Sequence, residues 1–198
     1  MSRRGAKTRP VGRLKASFEY SRAGVAREMR HKWNRLLPLD EMLGDRWKKA
    51  SLLEFGRGTS IYENVYVYGK PTVGTDVWIG PLTILDATGG LEIGDGSEIS
   101  CGVMIFTHST HLRTVSKRQI DIVREPVKIG KHVYIGSGAI ILPGVTVGDR
   151  SIIGAGAIVT CDISERRVAF GVPARIVGNV LGEGSSTRIV YDRIGQQR

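Results

Sequence analysis

The chain has 198 residues, 41% of them hydrophobic, and a formal net charge of +10, which suits one domain with a terminal extension and supplies enough apolar content for a core. No apolar run approaches the roughly 20 residues of a membrane span, and the opening MSRRGAKTRP has basic residues with no apolar signal core behind them, so a cytoplasmic location is expected. Two cysteines, Cys101 and Cys161, do not make a secreted disulfide scaffold.

The charge sits at the N-terminus. Residues 1–50 carry 14 Lys plus Arg against 5 Asp plus Glu, and residues 51–198 carry 15 against 14. The first dozen residues read as a disordered arm, and a helix is predicted from about Leu14 to Leu37, ahead of Pro38. Val25, Met29, Trp33 and Leu36 share one face at helical spacing, with Arg22, Arg27, Arg30, Lys32 and Arg35 around them. Three readings fit this extension: a helix docked by Trp33 and Leu36 with a solvated basic face, a basic amphipathic helix on anionic lipid, or a nucleic-acid binder. The last has charge in its favour but no recognition motif, so no nucleic-acid partner is expected.

From Glu54 a six-residue rhythm begins through Ile61, Val67, Val73, Ile79 and Leu85, with a bulged corner over residues 86–92 before it restarts at Ile93, Ile99 and Ile105. It breaks again between Phe106 and Pro126, where THSTHLRTVSKRQIDIVREP has no inward-pointing period; residues 107–126 are predicted to be a loop extruded from a corner. From Ile129 an aliphatic opens every step: Ile129, Ile135, Ile141, Val147, Ile153 and Val159. The fifth places hold Val133, Ala139, Val145, Ser151, Ala157 and Ile163. Period six belongs neither to a helix nor to an ordinary amphipathic strand. It is the spacing of a prism-shaped parallel β-helix, in which each hexapeptide supplies a short strand and a turn and three make one coil. Gly136, Gly148 and Gly154, just after the opening aliphatics, are expected to lend the corners their conformational freedom. Both cysteines take third places on different prism faces, so free thiols are expected.

An extruded loop on a rigid scaffold is where binding and catalysis concentrate. Of the four histidines, His31, His108, His111 and His132, His108 and His111 lie at the root of the loop. Imidazole suits proton removal from an alcohol near neutral pH, so His108 is either a general base or a solvated corner residue.

The repeats, the THSTH loop, the run VYIGSGAIILPGVTVGDRSIIGAGAIVT and the ending AFGVPARIVG together resemble the hexapeptide-repeat acyltransferases, in particular maltose and galactoside O-acetyltransferases and those of bacterial polysaccharide assembly. The likeness covers roughly residues 60–178. It implies an all-β, left-handed parallel β-helix over residues 51–178, a homotrimer, and acetyl-CoA as acyl donor in the groove between neighbouring subunits, with no metal. It leaves the basic extension of residues 1–50 and a C-terminal tail of residues 179–198 unaccounted for.

By the same resemblance, His108 matches the general base and His111 a second histidine near the acceptor. Tyr134 stands beside the pantetheine arm, Ser137 matches a residue whose backbone N–H lies near the thioester, and Ala155 lines the pantetheine channel. Thr160 and Arg175 match contacts to the nucleotide end of CoA. Cys161 replaces a lysine that relatives place near CoA phosphate, although Arg166, Arg167 and Arg175 keep positive charge in that region. Arg113, Lys117, Arg118 and Arg124 offer contacts to an acidic or phosphorylated sugar. Asp86 and Glu125 are candidates to fix the His108 tautomer, and Asp86 also to contact substrate. The implied reaction moves an acetyl group from acetyl-CoA to a sugar hydroxyl. N-acetylation of a nucleotide-linked amino sugar shares fold and cofactor. A zinc enzyme of the γ-class carbonic anhydrase type, on His108, His111 and His132, and a non-catalytic scaffold are the rivals from other classes. If the basic helix meets a membrane surface, a lipid-linked glycan becomes a plausible acceptor.

Overall fold

The computed structural model describes residues 10–192 and divides them into two units at the boundary between Asp45 and Arg46. In the first unit, helix α1 spans Pro10–Trp33 and α2 spans Leu39–Leu43. Pro10 at the first helical position gives up no intrahelical hydrogen bond, so Pro10 to Gly12 are helical where the sequence suggested a disordered arm; the rest of that arm lies outside the described residues. The helix stops short of Leu37 because Asn34 adopts φ 49° and donates its N–H to the Arg30 carbonyl, a left-handed C-terminal cap. Arg22, Arg27, Arg30 and Lys32 are exposed, while Val25 and Met29 are half-buried. Leu36, an anchor in one of the three readings, follows the end of the helix and is exposed; the Trp33 side chain lies outside the description. No helix among the described residues is long and apolar enough to cross a membrane.

The second unit is a left-handed parallel β-helix of about six turns. It opens with α3, Arg46–Leu52. Lys49 Nζ donates to the carbonyls of Tyr62 and Glu63 at 2.7 Å each, and the Arg46 guanidinium lies 4.5 Å from the Tyr62 ring centroid. These contacts bind the helix to the first coil, an end that has no preceding coil to pair with.

Strands Ser60–Ile61, Trp78–Ile79, Glu98–Ile99, Tyr134–Ile135, Ile152–Ile153 and Arg167–Phe170 form the first face, paired in parallel. Tyr66–Gly69, Ile84–Ala87, Met104–Ile105, Ile140–Ile141 and Ile158–Val159 form the second. Thr72–Val73, Leu91–Ile93, Val127–Ile129 and Thr146–Val147 form the third. All six opening aliphatics between Ile129 and Val159, and all six fifth-place residues, are buried. Alternation along each strand sends the opening residue inward, and coil stacking lines these residues into columns. A fully buried aliphatic contributes about 1.5–3 kcal/mol. The last coil departs from strict period six: Ile163 bridges to Val147 and continues the third face. A strict count would have put Glu165 there, and an interior column has no partner for a carboxylate.

Glycines after the opening aliphatics have a different cause from the one expected. Gly136, Gly148 and Gly154 do not take left-handed conformations; those fall two residues later, at Gly138, Arg150 and Gly156. A Cβ on Gly136 would lie 2.5 Å from the Ala155 nitrogen in the next coil. Coils approach there to backbone contact, so Gly136→Ala should destabilise the protein by about 1–3 kcal/mol, the range for overpacking. Urea unfolding followed by circular dichroism would measure it, and an unchanged midpoint would refute the close-approach explanation.

Within the expected C-terminal tail, residues 179–181 and 188–191 extend the first face, and residues 193–198 lie outside the described residues. Strand Arg175–Leu181 pairs antiparallel with Arg167–Phe170, and Arg188–Tyr191 pairs antiparallel with Arg175–Leu181. Glu183 holds this hairpin to the corners of two successive coils, accepting from Arg150 Nη1 at 2.6 Å and Arg166 Nη2 at 2.5 Å.

Candidate active site

The site is built at the corner between the second and third faces. Asp86 lies on the strand Ile84–Ala87, and the bulge after it turns back so that Thr88 donates both its N–H and its hydroxyl to Asp86 Oδ1, at 3.0 and 2.6 Å. One coil on, the buried Thr107 donates its N–H to Asp86 Oδ2 at 2.9 Å and its hydroxyl to the Asp86 carbonyl at 2.9 Å. The chain then leaves the prism. His108–Ser109 and Val123–Arg124 pair antiparallel as the stem of the extruded loop, with helix α4, His111–Val115, above them. The extruded loop expected here is built as a short hairpin stem carrying a helical turn.

His108 Nδ1 lies 2.6 Å from Asp86 Oδ2 and 3.1 Å from Thr88 Oγ1. Asp86 is buried. Burial alone would raise its carboxyl pKa, but the hydrogen bonds from the Thr88 hydroxyl, the Thr107 and Thr88 N–H groups and His108 outweigh that and hold it well below the usual carboxylate range. An ionised carboxylate can only accept. In the neutral ring the proton therefore belongs on Nδ1, and Nε2 keeps the lone pair. The His108 side chain is 37% exposed, so this ring can meet a solute while Asp86 cannot. Of the two roles expected for Asp86, its placement suits the partner of His108 and not direct contact with substrate. Glu125, the other candidate partner, instead uses its backbone, donating N–H to the Thr107 carbonyl and accepting from Gly144 N–H.

His111 Nδ1 hydrogen-bonds Ser109 Oγ. Arg113 pairs with Asp121 at 3.1 Å and braces the two limbs of the loop, where an acceptor contact was expected. His132 lies at the corner between the third and first faces, at φ 54°, so the three histidines considered for zinc do not share a corner. Among the described residues no group of three or more His, Cys, Asp or Glu is arranged to hold a metal ion. Cys101 and Cys161 are both free and exposed.

The residues expected to meet CoA are exposed but do not gather around His108 within one chain. Ser137 and Ala155 stack at the corner between the first and second faces, where Gly156 N–H donates to the Ser137 carbonyl. Tyr134 faces outward on the first face, opposite Glu98 and Ile152. Arg175 begins the antiparallel strand and donates to the Ala174 carbonyl. Thr160 alone of the five stands on the corner that carries His108, two coils further along. Sequence reasoning missed Thr88 and Thr107. The spacing Asp86-x-Thr88 is a local turn signal; Thr107 is 21 residues away and carries none.

Comparison with known proteins agrees with this architecture. Residues 126–161 match the family described as bacterial transferase hexapeptide (six repeats). The chain is 35% identical over 144 residues to the galactoside O-acetyltransferase of Escherichia coli, covering 67% of this chain and 69% of the relative. A hexapeptide-repeat-containing acetyltransferase from Vibrio cholerae superposes with a TM-score of 0.62 at 23% identity, covering 82% of this chain and 92% of that one; its complex with acetyl-CoA gives a TM-score of 0.51. AntD, an N-acyltransferase from Bacillus cereus, has the same fold at a TM-score of 0.56 and 22% identity, over 66% of this chain and 86% of its own.

Proposed function

This chain belongs to the hexapeptide-repeat acetyltransferases, and from that premise we propose that it transfers the acetyl group of acetyl-CoA to a sugar hydroxyl, with His108 as general base. The observation that carries the reading is the ring of His108: Nδ1 is held by a buried carboxylate at 2.6 Å, leaving Nε2 as the acceptor of a half-exposed ring at the foot of the loop.

In the reaction, Nε2 takes the proton of the acceptor hydroxyl as its oxygen attacks the thioester carbonyl carbon. Asp86 stabilises the imidazolium that forms and keeps the ring in place. A backbone N–H aimed at the carbonyl oxygen stabilises the tetrahedral oxyanion; the family resemblance assigns this to Ser137, whose N–H has no acceptor among the described residues. The intermediate then collapses, CoA leaves as thiolate and recovers the proton from His108, and the products are an acetyl ester and CoA thiol. No covalent enzyme intermediate is needed.

Acetyl-CoA as donor is supported by the galactoside O-acetyltransferase relative and by the acetyl-CoA complex of the Vibrio protein. The expected homotrimer fits the placement of Ser137 and Ala155 on a different corner from His108 within one chain.

The test is release of free CoA thiol from acetyl-CoA against a panel of sugars, amino sugars and nucleotide sugars, with the product identified. The expected product is an ester, cleaved by mild alkali or hydroxylamine. An alkali-stable amide would instead make the protein an N-acetyltransferase on the same fold, and absence of acetyl-CoA binding would remove the transferase reading altogether.

A further inference from the structure

Resting on the sugar-acceptor reading, we propose that Arg124 binds an anionic group, a carboxylate or a phosphate, carried by the acceptor close to the hydroxyl presented to His108. The basis is the register of the loop stem. Arg124 is the direct cross-strand partner of His108 in an antiparallel pair, and directly opposite residues point their side chains to the same face with Cβ atoms about 4.5–5.5 Å apart. The neighbouring pair carries a ladder hydrogen bond, from Glu125 N–H to the Thr107 carbonyl at 2.9 Å. His108 and Arg124 thus occupy a non-hydrogen-bonded position, where opposite side chains stand closest.

Other charges of the loop are engaged or sited elsewhere. Arg113 is tied to Asp121, whose Oδ1 also accepts the Ile122 N–H at 2.7 Å. Asp121 senses the charge of Arg124 as well as that of Arg113, but its carboxylate already has those two partners. The Glu125 carboxylate lies against the next coil beside Gly144. Lys117 and Arg118 follow α4, in left-handed conformations at the turn of the loop. Arg124 is exposed and, among the described residues, its guanidinium has no ion-pair partner. With Nδ1 of His108 occupied, the reacting hydroxyl must approach Nε2, on the face that Arg124 shares. A guanidinium there offers a planar fork that matches carboxylate or phosphate oxygens.

The experiment compares kcat/KM for matched acceptors, glucose with glucuronic acid and methyl glucoside with glucose 1-phosphate, in wild type, Arg124→Gln and Arg124→Lys at low and high salt. The wild type should prefer the anionic member of at least one pair by roughly 10-fold or more, as expected of a charge-assisted contact. Which pair shows the preference identifies carboxylate or phosphate. Arg124→Gln should collapse the ratio toward one, chiefly through KM, and Arg124→Lys should keep part of it. A wild-type ratio near one, or a ratio that Arg124→Gln leaves in place, overturns the anion assignment while sugar acetylation stands. If no sugar supports His108-dependent CoA release, the acceptor reading fails and this inference with it.

Discussion

Replacing His108 by Ala should lower acceptor-dependent CoA release by at least about 10²-fold, the lower bound of what a positioned general base contributes. The loss should appear in kcat, since the residues proposed to hold the donor are Tyr134, Ser137, Ala155, Thr160 and Arg175, and binding of acetyl-CoA measured by calorimetry should persist. A second signature is pH. Only neutral imidazole has the lone pair that takes the hydroxyl proton, so the wild-type rate should rise with pH along an acid limb and then level off. The residual rate of the variant should lack that limb. A variant that keeps both the wild-type rate and the limb would remove His108 from the chemistry.

Asp86→Asn should be nearly as damaging to rate, by about 10²-fold or more, and should also weaken the fold. An aspartate paired with a catalytic histidine sets the tautomer and stabilises the imidazolium, and its conversion to an amide in a Ser-His-Asp triad costs about 10⁴-fold. Here the two carboxylate oxygens face donors on both sides: the Thr88 N–H and hydroxyl on Oδ1, the Thr107 N–H and His108 Nδ1 on Oδ2. An asparagine amide must turn its NH₂ toward one of these sets, leaving donor against donor at a buried position. That should cost about 1–3 kcal/mol of stability at neutral pH.

The linkage has a definite sign. Asp86 is held well below its unfolded value, so its contribution is fully present above the unfolded carboxyl pKa of about 3.9 and is lost as pH falls below that toward the folded value. Urea unfolding at pH 7 and pH 3 should therefore show the wild type losing more stability than Asp86→Asn over this window. A purely structural Asp86 would alter the urea midpoint but leave kcat per folded molecule and the acid limb of the rate unchanged, and that outcome would sink the positioning role.

Much of this architecture is written locally. An aliphatic at every sixth place from Ile129 to Val159 can be buried in only one way, as inward columns of a three-faced coil, because strand alternation decides each residue's side within its own hexapeptide. The break at Phe106 likewise marks the extruded loop without reference to anything distant, and with the TH pair it singles out His108. What meets His108 is another matter. Corner neighbours are set by how many residues each coil contains: Leu85 stacks on Ile105 twenty residues on because of the bulge after Asp86, and Ile105 on Ile141 thirty-six residues on because of the loop. Those offsets bring Asp86 and not Glu125 to Nδ1, bury Thr107 against Asp86, and put Arg124 across from His108. Ile163 in the last coil and the glycines at backbone contact obey the same vertical register. Which side chains point inward can be read along the chain, since that depends on period within a strand; which outward side chains share a corner emerges only once the coils are stacked, since that depends on insertions summed over whole turns.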